Sequence, residues 1–376
     1  MEANLNWHFS RLNLARLYLD QFGVGISSAI TLFAPRRYGK TEFLLMDLVP
    51  IAESSGYRVV YSSMWASRSN PLMSLLYAMS DAARPTSLTD KIRSAFSAPI
   101  RSIEIEAEIS PLGKGKVGVD FEQGAQFPAN MLLEINTKLD ELLGKSANGK
   151  VLLLLDEVQY LAKPQYEDFI AALRTALDTR KGKVMVVFTG SSRIQLQRMF
   201  DDIKAPLFLS SQTTNFPPLD SEFVLFMLSN YRKATGRDLD TDESLAGFEC
   251  VSKSPGLFRE AIETSILSKR SDINAICQEI IARAEDGAGY GVLWGALKDI
   301  DRFVLLRVID GQALFTGEAC QSLADKMGVG KLTPQQVQVC VKRLESSQLL
   351  LPKGKGSYEI EDPRFAAWVS KFATLC

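Results

Sequence analysis

The run of five apolar residues at 151–155 (VLLLL) constrains the fold more than any other feature of the sequence. Because none of these residues is polar, the strand must be covered on both faces, as in a parallel sheet between two layers of helices. Three more strands are predicted at 29–34, 57–64 and 184–188. Helices are predicted at about 39–49, 70–83, 131–143 and 165–177. This alternation predicts βαβ units and an α/β fold.

Two other segments have different patterns. Apolar residues alternate on both sides of a Gly-Lys-Gly-Lys turn in residues 101–122, which predicts a β-hairpin insertion. After about Pro218 the pattern becomes helical. Asp220 is predicted to cap the first helix of this part and Gly236 to end it.

The C-terminal part has the pattern of a winged helix-turn-helix. Three predicted helices (302–309, 317–327 and 334–347) precede a short hairpin around a Lys-Gly-Lys-Gly turn. The predicted domains are a core at 1–218, a helical domain at 219–296 and a winged helix-turn-helix at 297–376.

Composition and charge narrow the classes of function. The 376 residues are 46% hydrophobic and 23% charged, with a net charge of −1, so no overall field attracts nucleic acid or membrane. No apolar run approaches the length of a membrane span. The five cysteines contain no Cys-x-x-Cys pair, which predicts neither a disulfide framework nor a zinc site and suits a reducing cytoplasm. His8 is the single histidine, so a histidine-based triad is not expected, and a position near the chain start predicts that it lies on the surface.

The segment 34–41, APRRYGKT, matches the phosphate-binding pattern Gly-x4-Gly-Lys-[Ser/Thr] except that Ala34 replaces the first glycine. In such a loop, backbone N–H groups and the N-terminus of the following helix surround phosphate oxygens. Lys40 is predicted to reach the β- and γ-phosphates and Thr41 to give its hydroxyl to Mg²⁺. Alanine is tolerated at position 34 if its φ is negative. The predicted nucleotide contacts are Pro35, Arg36, Arg37, Tyr38, Gly39, Lys40, Thr41 and Glu42.

A pair of acids follows the apolar run at 151–155 directly. Asp156 and Glu157 are therefore predicted at the carboxyl end of a parallel strand, where ligands bind in such sheets. Asp156 is expected to hold Mg²⁺ through a water molecule, and Glu157 to activate the water that attacks the γ-phosphate. Alone, the loop motif is also explained by a surface turn, and the acid pair by an acidic helix cap. The two motifs together predict a site of nucleotide hydrolysis.

The strand at 184–188 ends in Thr189-Gly190-Ser191-Ser192. A polar side chain at this strand end is suited to orient the attacking water or to contact the γ-phosphate. Ser191 is the favoured candidate and Thr189 the alternative. An ordinary Gly-Ser turn is the other explanation.

Four segments together resemble a known group of proteins: APRRYGKT, LLLLDE, FTGSS and EDPRFAAW. They look like the archaeal-type ATPases of the AAA+ and STAND group of P-loop proteins, over about residues 13–369. The resemblance implies a P-loop NTPase sheet of order 5-1-4-3-2, a helical lid, a C-terminal winged helix, and ATP rather than GTP. It also places Arg259, in VSKSPGLFREAIE, at a lid position near the γ-phosphate, although a solvated helix arginine is the alternative.

The arginine finger that such ATPases use is not at its usual place. Relatives often carry an arginine just after the Pro-Leu strand, where this chain has Ser-Ser-Gln at 210–212. Arg193 and Arg198 are the candidate substitutes. Arg36 and Arg37 are expected either to meet phosphate or a neighbouring subunit, or to pack against acids.

The predicted winged helix is a candidate for binding DNA. Its last helix would enter the major groove, with the wing beside the backbone. The candidate contacts are Lys331, Lys342, Arg343, Lys353 and Lys355. However, basic and acidic residues are nearly balanced in 299–376, and phosphate contacts dominate DNA affinity, so docking to a protein is the alternative.

These motifs predict an ATP-binding and ATP-hydrolysing molecular switch that is associated with DNA in replication, transposition or defence. A STAND-like signalling ATPase, or an ATP-gated scaffold that recruits a protein partner without binding DNA, is the alternative. ATP-dependent assembly of several copies is compatible with either.

Overall fold

The computed structural model describes residues 6–25, 27–66, 70–96, 129–203, 205–287, 289–347, 349–354 and 356–372. The hairpin predicted at 101–122 lies outside these residues. The chain forms two compact units, Asn6–Pro218 and Leu219–Cys376.

The first unit contains a five-stranded sheet flanked by helices. The strands are β1 (Ala29–Phe33), β2 (Arg58–Ser63), β3 (Val151–Asp156), β4 (Val184–Gly190) and β5 (Gln212–Asn215). The helices are α1 (Leu12–Gly23), α2 (Lys40–Phe43), α3 (Val49–Ser54), α4 (Pro71–Ala82), α5 (Leu88–Phe96), α6 (Ala129–Lys145), α7 (Glu167–Asp178) and α8 (Arg193–Phe200).

The sheet has the strand order β2-β3-β4-β1-β5, and all its neighbouring strands are parallel. Read from the other edge, this is the predicted order 5-1-4-3-2, so the α/β P-loop fold is confirmed. The carboxyl ends of the central strands are aligned, because Phe33 pairs with Gly190 and Ser63 with Asp156. Residues that follow β1, β3 and β4 therefore meet at one edge of the sheet.

The apolar run of β3 contributes to two cores. Leu153 and Leu155 pack with α4, α6, α7 and α8 on one face of the sheet. Leu152 and Leu154 pack with α1, α3 and the segment after the loop on the other face. All six residues of β3 are buried, which is the reason that the run contains no polar alternation.

The helix after the loop is longer than predicted. It was expected to end near Val49, but a π-helical turn at Leu44–Leu48 joins α2 to α3, which continues to Ser54. The wide turn lies just before Pro50, whose missing N–H would interrupt a regular helix. The edge strand β5 is formed by Gln212–Asn215, whereas the preceding Pro-Leu segment lies in turns.

The second unit is mostly helical. Its helices are α9 (Ser221–Thr235), α10 (Thr241–Cys250), α11 (Pro255–Ser268), α12 (Ile273–Gly287), α13 (Tyr290–Ala296), α14 (Asp299–Ile309), α15 (Gly317–Lys326), α16 (Pro334–Ser346) and α17 (Pro363–Phe372). An antiparallel hairpin of β6 (Leu350–Gly354) and β7 (Ser357–Ile360) precedes α17. The predicted limits of α9 are confirmed, because the Asp220 side chain accepts from the N–H of Glu222 and Gly236 is left-handed.

A buried carboxylate joins two helices of this unit. Asp301 of α14 is 3% exposed and accepts a hydrogen bond from Arg343 of α16 at 2.5 Å. The Cys340 thiol also donates to Asp301, at 2.9 Å. Burial raises the pKa of Asp301, but the bonds from Arg343 and Cys340 outweigh it and hold the pKa below its usual range.

Within the described residues, no helix has the length and apolar character needed to cross a bilayer.

Candidate functional site

The loop between β1 and α2 has two left-handed residues. Gly39 has φ of 79° and Arg37 has φ of 67°, whereas Ala34 keeps a negative φ. The glycine missing at position 34 is therefore not needed for the backbone conformation. Gly39 occupies the position where the loop turns into the helix, and there a side chain would be strained.

Lys40 is folded against its own loop. Its Nζ donates to the carbonyl oxygens of Ala34 at 2.6 Å and Pro35 at 3.0 Å. The same Nζ lies 4.0 Å from Oε1 of Glu157. Burial lowers the pKa of Lys40, against the opposing effect of the Glu157 and Asp156 charges. The loop lysine therefore interacts electrostatically with both residues of the acid pair.

Asp156 ties the loop to the ends of three strands. It is fully buried, and its Oδ2 accepts from the hydroxyl of Thr41 at 2.6 Å and from the hydroxyl of Tyr61 at 3.2 Å. Its Oδ1 accepts from the hydroxyl of Thr189. The structure therefore brings Thr41 and Asp156, the two predicted metal ligands, into direct contact.

Glu157 contacts the other candidate at the end of β4. The hydroxyl of Ser191 donates to Glu157 Oε2 at 2.8 Å, and the amide of Gln159 donates to the same oxygen. The hydroxyl of Thr189 donates to Asp156 and accepts from the backbone N–H of Glu157 at 3.4 Å, so of the two candidates only Ser191 donates to the Glu157 carboxylate. Glu157 itself is left-handed, with φ of 56° and ψ of 43°.

The sequence motifs assigned no role to Gln159, which is 4% exposed. A glutamine two positions after the acid pair was the available signal, but only the fold shows that it is buried and reaches Ser191, at 3.0 Å.

The arginines of the loop have different surroundings. Arg36 is exposed, donates to the hydroxyl of Tyr160 at 2.9 Å, and lies over the ring of Trp65 at 5.0 Å. Arg37 is exposed. Aromatic groups rather than acids are thus the partners that the structure shows for Arg36.

His8 is not a surface residue, so that prediction was wrong. Its side chain is only 11% exposed, with Nδ1 2.8 Å from Glu42 and Nε2 3.0 Å from Asp47. Asp47 also accepts from the hydroxyl of Ser10 and the N–H of Arg11. Burial alone would lower the pKa of His8, but the hydrogen bonds to Asp47 and Glu42 raise it to about 9. The segment before α1 is therefore anchored to the helix that carries Thr41 and Glu42.

The remaining arginine candidates lie on two different units. Arg193 lies at the start of α8, where it donates to Asn215 at 3.2 Å and sits over the ring of Phe33. Arg198, on the same helix, is exposed. Arg259 lies in the first turns of α11, in the second unit, and is half-buried.

The DNA candidates also differ in their surroundings. Lys331 and Lys342 are exposed, whereas Arg343 is held by Asp301. Lys353 lies on β6. Lys355 lies outside the described residues.

Comparison with known proteins identifies the fold. No protein-family model matches the chain, and no curated protein matches its sequence. Among solved structures, a Walker-type ATPase of Pyrococcus abyssi is similar over 96% of both chains, with a TM-score of 0.58 and 17% identity. The ORC2 protein of Aeropyrum pernix in its ADP form is similar over 96% of this chain and 91% of its own, with a TM-score of 0.53 and 16% identity.

The ADPNP–ADP complexes of the same Aeropyrum pernix protein are similar over 97% of this chain and 93% of theirs, with a TM-score of 0.50 and 16% identity. Each of these similarities extends over nearly the whole chain. Together with the strand order and the loop after β1, they show that the chain has the P-loop fold of the archaeal-type ATPases that its sequence resembles.

Proposed function

We propose that this chain binds ATP with Mg²⁺ between the loop at 34–41 and the acid pair after β3, and hydrolyses the β–γ phosphoanhydride. The observation that carries the proposal is the 2.6 Å contact between Thr41 and Asp156, with Glu157 Oε1 4.0 Å from Lys40. The contact joins the two sequence motifs that a triphosphate site requires. The ADP and ADPNP forms of the Aeropyrum pernix protein with this fold support a nucleotide as the ligand.

The residues present fit Mg²⁺. The Thr41 hydroxyl and the Asp156 carboxylate supply oxygen donors, which this hard cation prefers, and phosphates and water usually complete its coordination. When bound, the ion would neutralise charge that develops on the phosphates. Thr41 would hold it directly and Asp156 through water.

Lys40, Glu157 and Ser191 each have a separate role in the proposed hydrolysis. Lys40 neutralises charge on the phosphates, as the loop lysine does in P-loop enzymes. Glu157 accepts a proton from the attacking water, a contribution of about 10²–10⁴-fold for a well-placed base. Ser191, whose hydroxyl donates to Glu157, orients that water by holding the carboxylate in place.

In this proposal the second unit transmits the state of the nucleotide. Residues 219–296 act as a lid, from which Arg259 senses the γ-phosphate, and residues 297–376 act as a winged helix. Replacement of ATP by ADP then changes the orientation of the lid and the affinity for a partner. The order of α14, α15, α16, hairpin and α17 supports the assignment of a winged helix.

Duplex DNA is the first candidate partner, contacted through Lys331, Lys342 and the wing. A protein partner is the second candidate, and one observation favours it. Arg343 is engaged by buried Asp301, which reduces the charge that α16 offers to phosphate. Assembly of several copies with ATP is compatible with both candidates.

Measurement of ATP turnover with and without duplex DNA tests the proposal. Turnover that DNA increases supports the first candidate. Turnover without any response to DNA supports the second, and ATP binding without turnover would leave only an ATP-gated scaffold. A chain that does not bind ATP would contradict the proposal.

A further inference from the structure

Gln159 lies between the ends of β3 and β4, in the 3-10 helix Val158–Leu161. Its side-chain Nε2 donates to Glu157 Oε2 and, at 3.0 Å, to the hydroxyl of Ser191. Its Oε1 accepts from the backbone N–H of Ser191 at 3.4 Å. One carboxamide thus contacts both groups that the proposed function places around the attacking water.

The protons in this cluster have a single consistent arrangement. An ionised carboxylate only accepts, so Nε2 rather than Oε1 of Gln159 must face Glu157. Ser191 donates its one hydroxyl proton to Glu157 Oε2 at 2.8 Å, and therefore accepts from Gln159. Two donors consequently hold Oε2 of Glu157. Its other oxygen, Oε1, faces Lys40 at 4.0 Å.

The backbone around the cluster is adapted to this contact. Glu157 is left-handed, a conformation that is strained for a non-glycine residue and that is concentrated at functional sites. On the facing strand, a Cβ at Gly190 would lie 2.7 Å from Gln159 Oε1 and 2.8 Å from Leu196 Cδ2. The absence of a side chain at Gly190 therefore leaves the space that Gln159 occupies.

We propose that Gln159 is a positioning residue for Glu157, an inference that rests on the proposed ATP hydrolysis. Gln159 and Ser191 fix Oε2, so Oε1 on the Lys40 side is the atom that accepts the proton of water. As that proton moves to Oε1, the water oxygen bonds to the γ-phosphorus. The bond from this phosphorus to the bridging oxygen breaks, and ADP leaves with the electron pair.

The test compares Gln159→Leu, which removes the amide at similar volume, with the unaltered chain. We expect kcat to fall about 10- to 100-fold, a part of the general-base contribution, while the Kd for a non-hydrolysable ATP analogue changes less than twofold. Gln165→Leu is the matched control, because Gln165 is exposed and outside the cluster. It should leave both values unchanged.

Gly190→Ala provides a second route to the same result. The added methyl displaces the Gln159 amide without removing it, so kcat should again fall at constant Kd. In a Glu157→Gln background, Gln159→Leu should cause no further loss, because residues that act as a unit are not additive. A purely structural role would instead lower the melting temperature and weaken nucleotide binding in every background.

The outcomes separate this inference from the proposed function. If Glu157→Gln abolishes turnover but Gln159→Leu leaves kcat unchanged or raises it, the positioning role is wrong and the proposed hydrolysis stands. If Gln159→Leu loses binding and stability together with turnover, the role is structural and the inference is also wrong. If the unaltered chain binds ATP without turnover, both the proposed hydrolysis and the positioning role of Gln159 are refuted.

Discussion

Thr41 Oγ1 lies 2.6 Å from Asp156 Oδ2, although the two residues are 115 positions apart in the chain. The contact exists because β1 and β3 end at the same edge of the sheet, with β4 between them. It connects the loop directly to the acid pair. The first experiments should therefore address this pair.

Thr41→Ala should weaken binding of ATP in the presence of Mg²⁺ by about 10- to 100-fold, since a bond to a charged group contributes about 1.5–3 kcal/mol. Binding of ATP in the presence of a chelator should change little. Titration calorimetry with and without Mg²⁺ measures both values. Thr41→Ser, which keeps the hydroxyl, is the control and should retain Mg²⁺-dependent binding. Equal losses with and without Mg²⁺ would contradict a role in holding the cation.

Glu157→Gln should retain ATP binding and reduce single-turnover hydrolysis by about 10²–10⁴-fold, because an amide cannot accept the proton of water. Radioactive phosphate release under single-turnover conditions measures the effect. Unchanged hydrolysis in this variant would show that another group is the base. Lys40→Ala, by contrast, should reduce nucleotide binding itself.

The fold could be predicted from the sequence in the parts where a local pattern determines the structure. The apolar runs at 151–155 and 184–188 became buried central strands, and the loop and acid motifs met because parallel strands bring their ends together. The positions of His8 and Gln159 could not be predicted, because their partners are determined by tertiary contacts. The same holds for the ion pair between Arg343 and Asp301, which neither residue type nor spacing indicated.

His8 should make the stability of the chain depend on pH in the alkaline range. The folded state raises the pKa of His8 to about 9, above the ordinary value of 6.5, so it binds the proton more tightly than the unfolded state. The stabilisation, on the order of 3 kcal/mol, is complete below pH 6.5 and is lost as pH rises through about 9.

Urea unfolding of the unaltered chain and His8→Asn between pH 6 and 10 measures this effect. The difference in the free energy of unfolding should be largest near pH 6 and should shrink towards pH 10. A difference that stays constant over this range would show that His8 contributes by packing and not by charge. Asp47→Asn should reduce the pH dependence, because it removes one of the two facing carboxylates.

Lys331→Glu combined with Lys342→Glu should weaken duplex DNA binding and reduce its dependence on salt, by about one unit of slope for each lost phosphate contact. Fluorescence anisotropy at several salt concentrations measures the slope. Arg343 is left unchanged, because its removal would leave buried Asp301 without its cation and destabilise the unit.

The charge-matched control for this experiment is Lys233→Glu combined with Lys269→Glu, two exposed lysines of the proposed lid. Equal losses in both double variants would indicate a general effect of charge. Absence of duplex binding by the unaltered chain at low salt would refute the DNA-associated form of the proposal and favour a protein partner.

At Glu157, the backbone conformation that favours glycine for stability conflicts with the carboxylate that the proposed activity requires. Glycine adopts this conformation without strain, so Glu157→Gly should be tolerated by the fold or even raise its melting temperature, while it deletes the carboxylate. Selection for a higher melting temperature alone would thus favour glycine at this position, and the proposed hydrolysis would be lost. In the proposed function, the strained backbone at Glu157 is therefore the structural cost of the carboxylate that activates water.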